Sequence, residues 1–324
     1  MNVLAVDVGG TTTTAAIVTS DGEVLLARRL PTHHGGPGTA RATIDGLLEA
    51  VRADGQAMDI AAIGIGLPAV VHADTGTVGD EAHNVPELAG HPLGAALGAR
   101  FDLPVFIDND VNALALAEWR FGAGRGARSL VVLAAGTGFG SGIVLDGRLV
   151  RGAHGFGAEL GHVPIKFDGP PCWCGGRGCL ALYASARGIV EAARARATRA
   201  EGRALLDAAG GDPVAIDAPL VFGLAASGER ASAGVVDVAC RALGAMLGMV
   251  VNGLNPDAIV VTGGVAASFA ALERRVLGAA ADYAFGRALA ATRIAIVPGD
   301  KSVSMRGAGA LAFYELDQQA RRRA

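Results

Sequence analysis

Two stretches of this chain share one grammar, and that repetition limits the folds open to it. Residues 3 to 30 read "VLAVDV", "GG", "TTTTAAIV", Asp21-Gly22 and "EVLLARRL". Residues 129 to 150 read "SLVVLA", "AGTGFG", "SGIVL", Asp146-Gly147 and "RLV". In each, an apolar β-rich run is broken by glycine and threonine, resumes, and then meets an Asp-Gly pair of the kind that turns a hairpin. The spacing from Thr11 to Asp21 nearly matches that from Thr137 to Asp146.

Between the repeats lie helical patterns. Ile44, Leu47, Leu48 and Val51 recur at i, i+3, i+4 and i+7, which predicts an amphipathic helix ending near Asp54-Gly55. "AAIGIGLP" reads as a buried strand stopped by Pro68, "LPVFIDND" as a strand running into a helix at "VNALALAEWRFG", and "NPDAIVVTGGVAAS" as turn, strand, Gly-Gly and helix start. A duplicated hairpin unit among alternating strands and helices implies an α/β fold of two related lobes. The expected division is 1–115 plus 300–324 for a smaller lobe, and 116–299 for a larger one.

Composition narrows the function classes. Apolar residues make up 51% and charged residues 18%, which is a globular balance. A formal charge of −3 gives no basic footprint for nucleic acid. The closing "RRRA" reads as a solvated helix tail. "MNVLAVDVGG" lacks the layout of a signal peptide, and no stretch is expected to cross a membrane; "ALGAMLGMVVNGL", broken by Gly and Asn, reads as a buried helix. The expectation is a cytoplasmic protein with reduced thiols.

The two broken turns are donor-rich. "DVGGTTTT" sets Asp7, Gly9, Gly10, Thr11 and Thr12 where two strands turn, and "AGTGFGSG" does the same with Gly136, Thr137 and Gly138. Glycine admits backbone N–H groups close to a phosphate, and Asp7 at a strand end suits a hydrated Mg²⁺. Each turn alone also reads as a tight hairpin. Neither fits the Walker pattern, and "GTGFGSG" is followed by a strand where a dinucleotide fingerprint requires a helix.

A second constellation is local. His162 is followed by Cys172, Cys174 and Cys179 in an H-x9-C-x-C-x4-C pattern. Three thiolates and an imidazole suit tetrahedral Zn²⁺, and closed four-ligand sites are structural. A C-x-x-C redox motif is absent. Cys240 sits in an apolar helical stretch and reads as a core thiol. Further along, "FIDNDVNALA" puts Asp108 and Asp110 at a strand–helix junction. Asp110 suits a base beside the helix's positive end, and either Asp suits an N-cap; Asp108 is assigned that role or solvent exposure.

These motifs together resemble the actin-like ATPase superfamily, and within it the ROK family of sugar kinases and sugar-responsive repressors. "DVGGTTTT" resembles its first phosphate motif, "AGTGFGSG" its second, and "VVTGGVAAS", with Gly263 and Gly264, its adenosine motif. The resemblance runs from residue 3 to "RGAGALAFY". It implies ATP and Mg²⁺ as partners of the glycine turns. It also implies Asp110 as catalytic base within "NDVNA", and Asn109, Glu159 and His162 on substrate hydroxyls. The zinc then holds a substrate-binding loop. Two departures stand out: Thr12 occupies a position often Lys or Asn, and Ala181 replaces the usual Glu after Cys-Leu.

The leading expectation is an ATP-dependent kinase for a primary hydroxyl of a hexose, amino sugar or cyclitol, acting as a homodimer on a small molecule, with no nucleic acid or membrane partner. A glucokinase proper is the alternative. A ROK repressor carries a DNA-binding domain ahead of its first phosphate motif, for which this sequence leaves no room. A non-catalytic sugar-binding protein is suggested by Thr12 and Ala181 and opposed by Asp110.

Overall fold

The computed structural model describes residues 1–299 and 301–323. Residues 300 and 324 of the segment assigned to the smaller lobe lie outside them. Two five-stranded sheets carry the fold, and they share one topology. The first contains β1 (Asn2–Val8), β2 (Thr12–Thr19), β3 (Val24–Pro31), β4 (Ile60–Leu67) and β7 (Val105–Asn109) in the order β3-β2-β1-β4-β7. A two-stranded ribbon of β5 (Val71–His72) and β6 (Thr77–Val78) stands apart. The second contains β8 (Leu130–Ala135), β9 (Phe139–Leu145), β10 (Arg148–Leu149), β11 (Ala258–Thr262) and β12 (Arg293–Ile296), ordered β10-β9-β8-β11-β12. In both, a three-strand meander is extended by two parallel strands. The repeated grammar of the sequence is thus a repeated sheet.

The two Asp-Gly turns differ in detail. Asp146 and Gly147 both take positive φ (50° and 73°), and Leu145 pairs with Arg148: a two-residue type I′ turn. At the other site only Gly22 is left-handed, and Thr19 N–H donates to the Glu23 carbonyl. That loop has three residues, Ser20 to Gly22, and ends in a bulge.

The described chain divides into two compact units. The first comprises Met1–Ala127, Gly142–Ala158 and the C-terminal helix Lys301–Arg323; the second comprises Arg128–Ser141 and Glu159–Gly299. The first unit therefore reaches past residue 115 and takes in residues 142–158. Side chains explain this. α3 (Asp110–Arg120) packs on the C-terminal helix, Trp119 stands edge-on to Tyr314, and the Tyr314 hydroxyl accepts from Leu149 N–H.

Strand alternation builds the first unit's core. Leu4, Val6, Val8, Ile17, Ile63 and Ile65 pack against α1 (Ala40–Asp54) and α2 (Leu93–Phe101), which contribute Ile44, Leu47, Leu48, Val51 and Leu97. Val3, Ala5, Ala16, Val18 and Ala62 face the C-terminal helix through Ala308, Ala312 and Phe313. Small residues on that face let the helix come close: a Cβ at Gly64 would collide with the Ala308 carbonyl.

In the second unit the helix Arg230–Leu254 buries Val235, Val236, Ala239, Cys240, Leu243, Met246, Leu247 and Val250. By length and composition alone this helix could cross a membrane, but it is a buried helix, as expected from sequence. Its glycines and Asn252 do not interrupt it, and 67% of its most apolar window is buried within the protein. Burial pushes the Cys240 thiol up to about 11, as befits an inert core thiol.

Candidate active site

In the first unit, parallel strands bring three acidic residues to their carboxyl ends. Asp7 on β1 is level with Gly66 on β4, which is level with Asp108 on β7. Gly66 bears no side chain, so the first turn of α3 settles over it: a Cβ there would meet Asp110 Cα at 3.5 Å and Ala113 Cβ at 3.3 Å. Asp7 and Asp110 thereby become electrostatic neighbours. Burial first, and the Asp110 charge second, push the Asp7 carboxyl up to about 6.

That shift carries a sign. The folded protein holds the Asp7 proton more tightly than the unfolded chain, whose value is 3.8. The stabilisation is full below about pH 4, falls as pH rises toward about 6, and is gone above it. Asp7→Asn is therefore expected to be more stable than wild type at pH 7 by on the order of 1–3 kcal/mol, and nearly equal to it at pH 4. Urea midpoints at the two pH values check this; an Asp7→Asn protein weaker than wild type at pH 7 contradicts it.

At the strand–helix junction the cap is neither of the two candidate aspartates. Asn109 is the N-cap of α3, its Oδ1 accepting from Val111 and Asn112 N–H at 2.9 and 3.4 Å. Asp110 is the first helical residue and accepts from Val111 N–H at 2.9 Å. Asp108 is neither cap nor solvated, which corrects the role assigned to it from sequence. It is 2% exposed and accepts from Arg151 Nε (2.6 Å), Asn112 Nδ2 (2.8 Å) and Asn109 N–H (2.8 Å). Arg151 also reaches Glu315 at 2.6 Å. The two carboxylates raise the Arg151 pKa despite its burial. The network ties α3, the segment after β10 and the C-terminal helix together.

The first glycine turn stands beside these acids. Gly9 N–H donates to the Thr12 carbonyl, leaving Gly10 and Thr11 exposed at the tip and Thr12 half-buried. Neither glycine has positive φ; Gly9 is needed because a Cβ would press on the Thr12 carbonyl at 2.9 Å. Asn84 lies against Gly10, 3.3 Å from where a Cβ would be. Sequence reasoning missed both Asn84 and Arg151, since each is far along the chain from any motif.

The second unit carries the other turn. Gly136 N–H donates to the Gly138 carbonyl at 3.0 Å, and Thr137 and Gly138 are exposed. Gly263, with φ +102°, follows β11 so closely against the end of β8 that a Cβ would lie 2.6 Å from the Ala135 carbonyl. Gly264 has open space around it. The two glycine segments thus share the carboxyl ends of adjacent parallel strands, the place where α/β sheets take ligands.

His162, Cys172, Cys174 and Cys179 come together with their ligand atoms all within 4.8 Å of one another. An isolated bridge between Pro164 and Cys179 brings the histidine's segment alongside the cysteines, and left-handed Gly175 and Gly178 curl the chain between them. The donor set fits zinc. Zn–S bonds of about 2.3 Å at tetrahedral angles separate sulfurs by about 3.8 Å, and Cys174 and Cys179 Sγ are 3.7 Å apart. Cys172 Sγ lies 3.7 Å from His162 Nδ1. Burial and the neighbouring sulfurs push the Cys179 thiol up to about 12. Glu159 is exposed, and its carbonyl accepts from His162 N–H. Ala181, the first residue of α4 (Ala181–Ala184), is fully buried.

The ROK family profile matches residues 3–315. The chain belongs to the ROK family. A glucokinase of Streptomyces coelicolor is 35% identical over 266 residues, covering 81% of each chain. An N-acetylmannosamine kinase of Escherichia coli O157:H7 is 34% identical over 211 residues, 65% of this chain and 70% of the relative. The structure of a ROK glucokinase from Streptomyces griseus in complex with glucose and AMPPNP superposes with a TM-score of 0.75 at 30% identity, over 97% of this chain and 99% of the other. This ROK protein is a sugar kinase with the two-lobed α/β fold of that family.

Proposed function

We propose that the chain transfers the γ-phosphoryl group of ATP to a primary hydroxyl, of the 6-position type, of a hexose or hexose-like substrate. The observation that carries this reading is Asp110 at the start of α3, beside Asp7 and the Gly9–Thr12 turn within one unit. As the hydroxyl oxygen bonds to phosphorus and the bond to ADP breaks, the hydroxyl proton passes to the Asp110 carboxylate. Asn109, Glu159 and His162 orient the sugar. The turns at 9–12 and 136–138 hold the phosphates, and Gly263 and Gly264 hold the nucleoside end. Asp7 would hold a hydrated Mg²⁺, which would supply charge neutralisation at the phosphates. His162, Cys172, Cys174 and Cys179 would hold a structural Zn²⁺ that would steady the loop bearing Glu159 and supply no chemistry on the sugar. The enzyme works in the cytoplasm as a homodimer.

Ala181 directs the substrate choice. A methyl in place of a carboxylate removes hydrogen bonds worth about 1.5–3 kcal/mol each to a sugar hydroxyl, so glucose is expected to bind one to several decades more weakly than in an enzyme with Glu there. Substrates altered at that end of the ring, such as amino sugars, N-acylated hexosamines or cyclitols, lose less. Sugar-dependent ADP release across such a panel tests this. A substrate other than glucose is expected to give the highest kcat/KM; glucose leading by a wide margin with micromolar KM overturns the reading of Ala181.

A further inference from the structure

One aromatic residue of the zinc knuckle has a partner outside it. Trp173 sits between Cys172 and Cys174, 39% exposed, and its ring stands edge-on to His162 with centroids 6.4 Å apart. The Arg187 guanidinium lies 4.3 Å over the same ring and also pairs with Glu191 at 2.8 Å. Arg187 belongs to the first turn of α5 (Ala186–Ala197), whose N-cap is Ser185. That turn spends its free backbone donors on the second glycine turn. Ala186 N–H donates to the Gly136 carbonyl at 2.9 Å, and Arg187 N–H to the Thr137 carbonyl at 3.1 Å.

Arg187 therefore touches both functional parts of the second unit, the knuckle with its side chain and the 136–138 turn with its backbone. We propose that the Trp173–Arg187 stack is a positioning device that couples zinc occupancy of the knuckle to the nucleotide affinity of the Gly136–Gly138 turn. The proposal rests on the reading of that turn as a phosphate site. With zinc bound, the Cys172–Cys174 segment holds the indole in place. The indole fixes the guanidinium, and the first turn of α5 is then pinned where its N–H groups orient the two carbonyls. Without zinc the indole is released, and the 136–138 turn loses its outer support. Both side chains are substantially exposed, so replacing them spares the core.

The test uses the zinc-loaded protein with Mg²⁺ and AMPPNP as the probe, measured by calorimetry, and a chelator to strip zinc. A cation–π contact at an exposed site converts to about a two- to fivefold change in affinity. Arg187→Ala and Trp173→Ala are each expected to weaken AMPPNP by about that factor and to release zinc faster. Arg187→Lys, which keeps the charge and loses the planar stack, recovers only part. Stripping zinc should weaken AMPPNP binding to wild type and leave the Arg187→Ala protein unchanged. Equal weakening of both by zinc removal overturns the coupling, as does wild-type affinity in Arg187→Ala, or a protein that carries no zinc. A wild-type protein that takes up no AMPPNP refutes instead the reading of the 136–138 turn, and the coupling with it.

Discussion

Asp110→Asn is expected to lower kcat by about a hundred- to ten-thousandfold, the usual range for losing a general base, with little change in fold or in sugar KM. Asparagine is nearly isosteric, and its Oδ1 can still accept from Val111 N–H as Asp110 does at 2.9 Å. Asn109 continues to cap the helix. The amide cannot take the hydroxyl proton. The variant also removes the negative charge that helps raise Asp7, so thermal stability should hold or rise slightly. Steady-state kinetics with circular dichroism decide the matter. Near-normal turnover in a folded Asp110→Asn protein removes Asp110 from the mechanism.

Arg151→Met is expected to have the largest effect on stability. It leaves Asp108, 2% exposed, with only Asn112 Nδ2 and Asn109 N–H as donors. Breaking one partner of a buried ion pair costs about 3–5 kcal/mol, because the remaining charge stays desolvated. The Glu315 contact at 2.6 Å and the Tyr314 ring packed 6.0 Å from the guanidinium are lost too. The double variant Arg151→Met/Asp108→Asn should recover part of the loss, since the uncompensated charge is gone. Urea unfolding of the single and double variants reads this directly. An Arg151→Met protein within about 1 kcal/mol of wild type would mean that solvent reaches Asp108.

The sequence disclosed whatever is encoded locally. Apolar alternation around Gly-Thr breaks is enough to mark both three-strand meanders, because strand period and turn chemistry sit within thirty residues of each other. The Cys/His cluster was equally legible, since three of its four residues fall in eight positions and His162 needs only one bridge to join them. Asp108 was misread because Asp108, Asn109 and Asp110 are all good N-caps. What separates them is Arg151, which arrives from beyond β10 and has no motif of its own. Trp173 and Arg187 belong to the same class: a stack between an exposed loop and a helix start leaves no period in the chain. The Arg230–Leu254 helix shows the opposite limit, where composition alone does not distinguish a core helix from a membrane span.

The central claim is that this chain moves a phosphoryl group from ATP to a sugar's primary hydroxyl. Phosphorus NMR of the products, with wild-type protein, Mg-ATP and the best substrate of the panel, tests it most directly. The account predicts one sugar phosphate per ADP, with the new resonance coupled to the methylene protons of the primary carbon, and none when Asp110→Asn replaces wild type over the same time. ADP formed together with free inorganic phosphate and unchanged sugar, or phosphate on a ring hydroxyl, would contradict it.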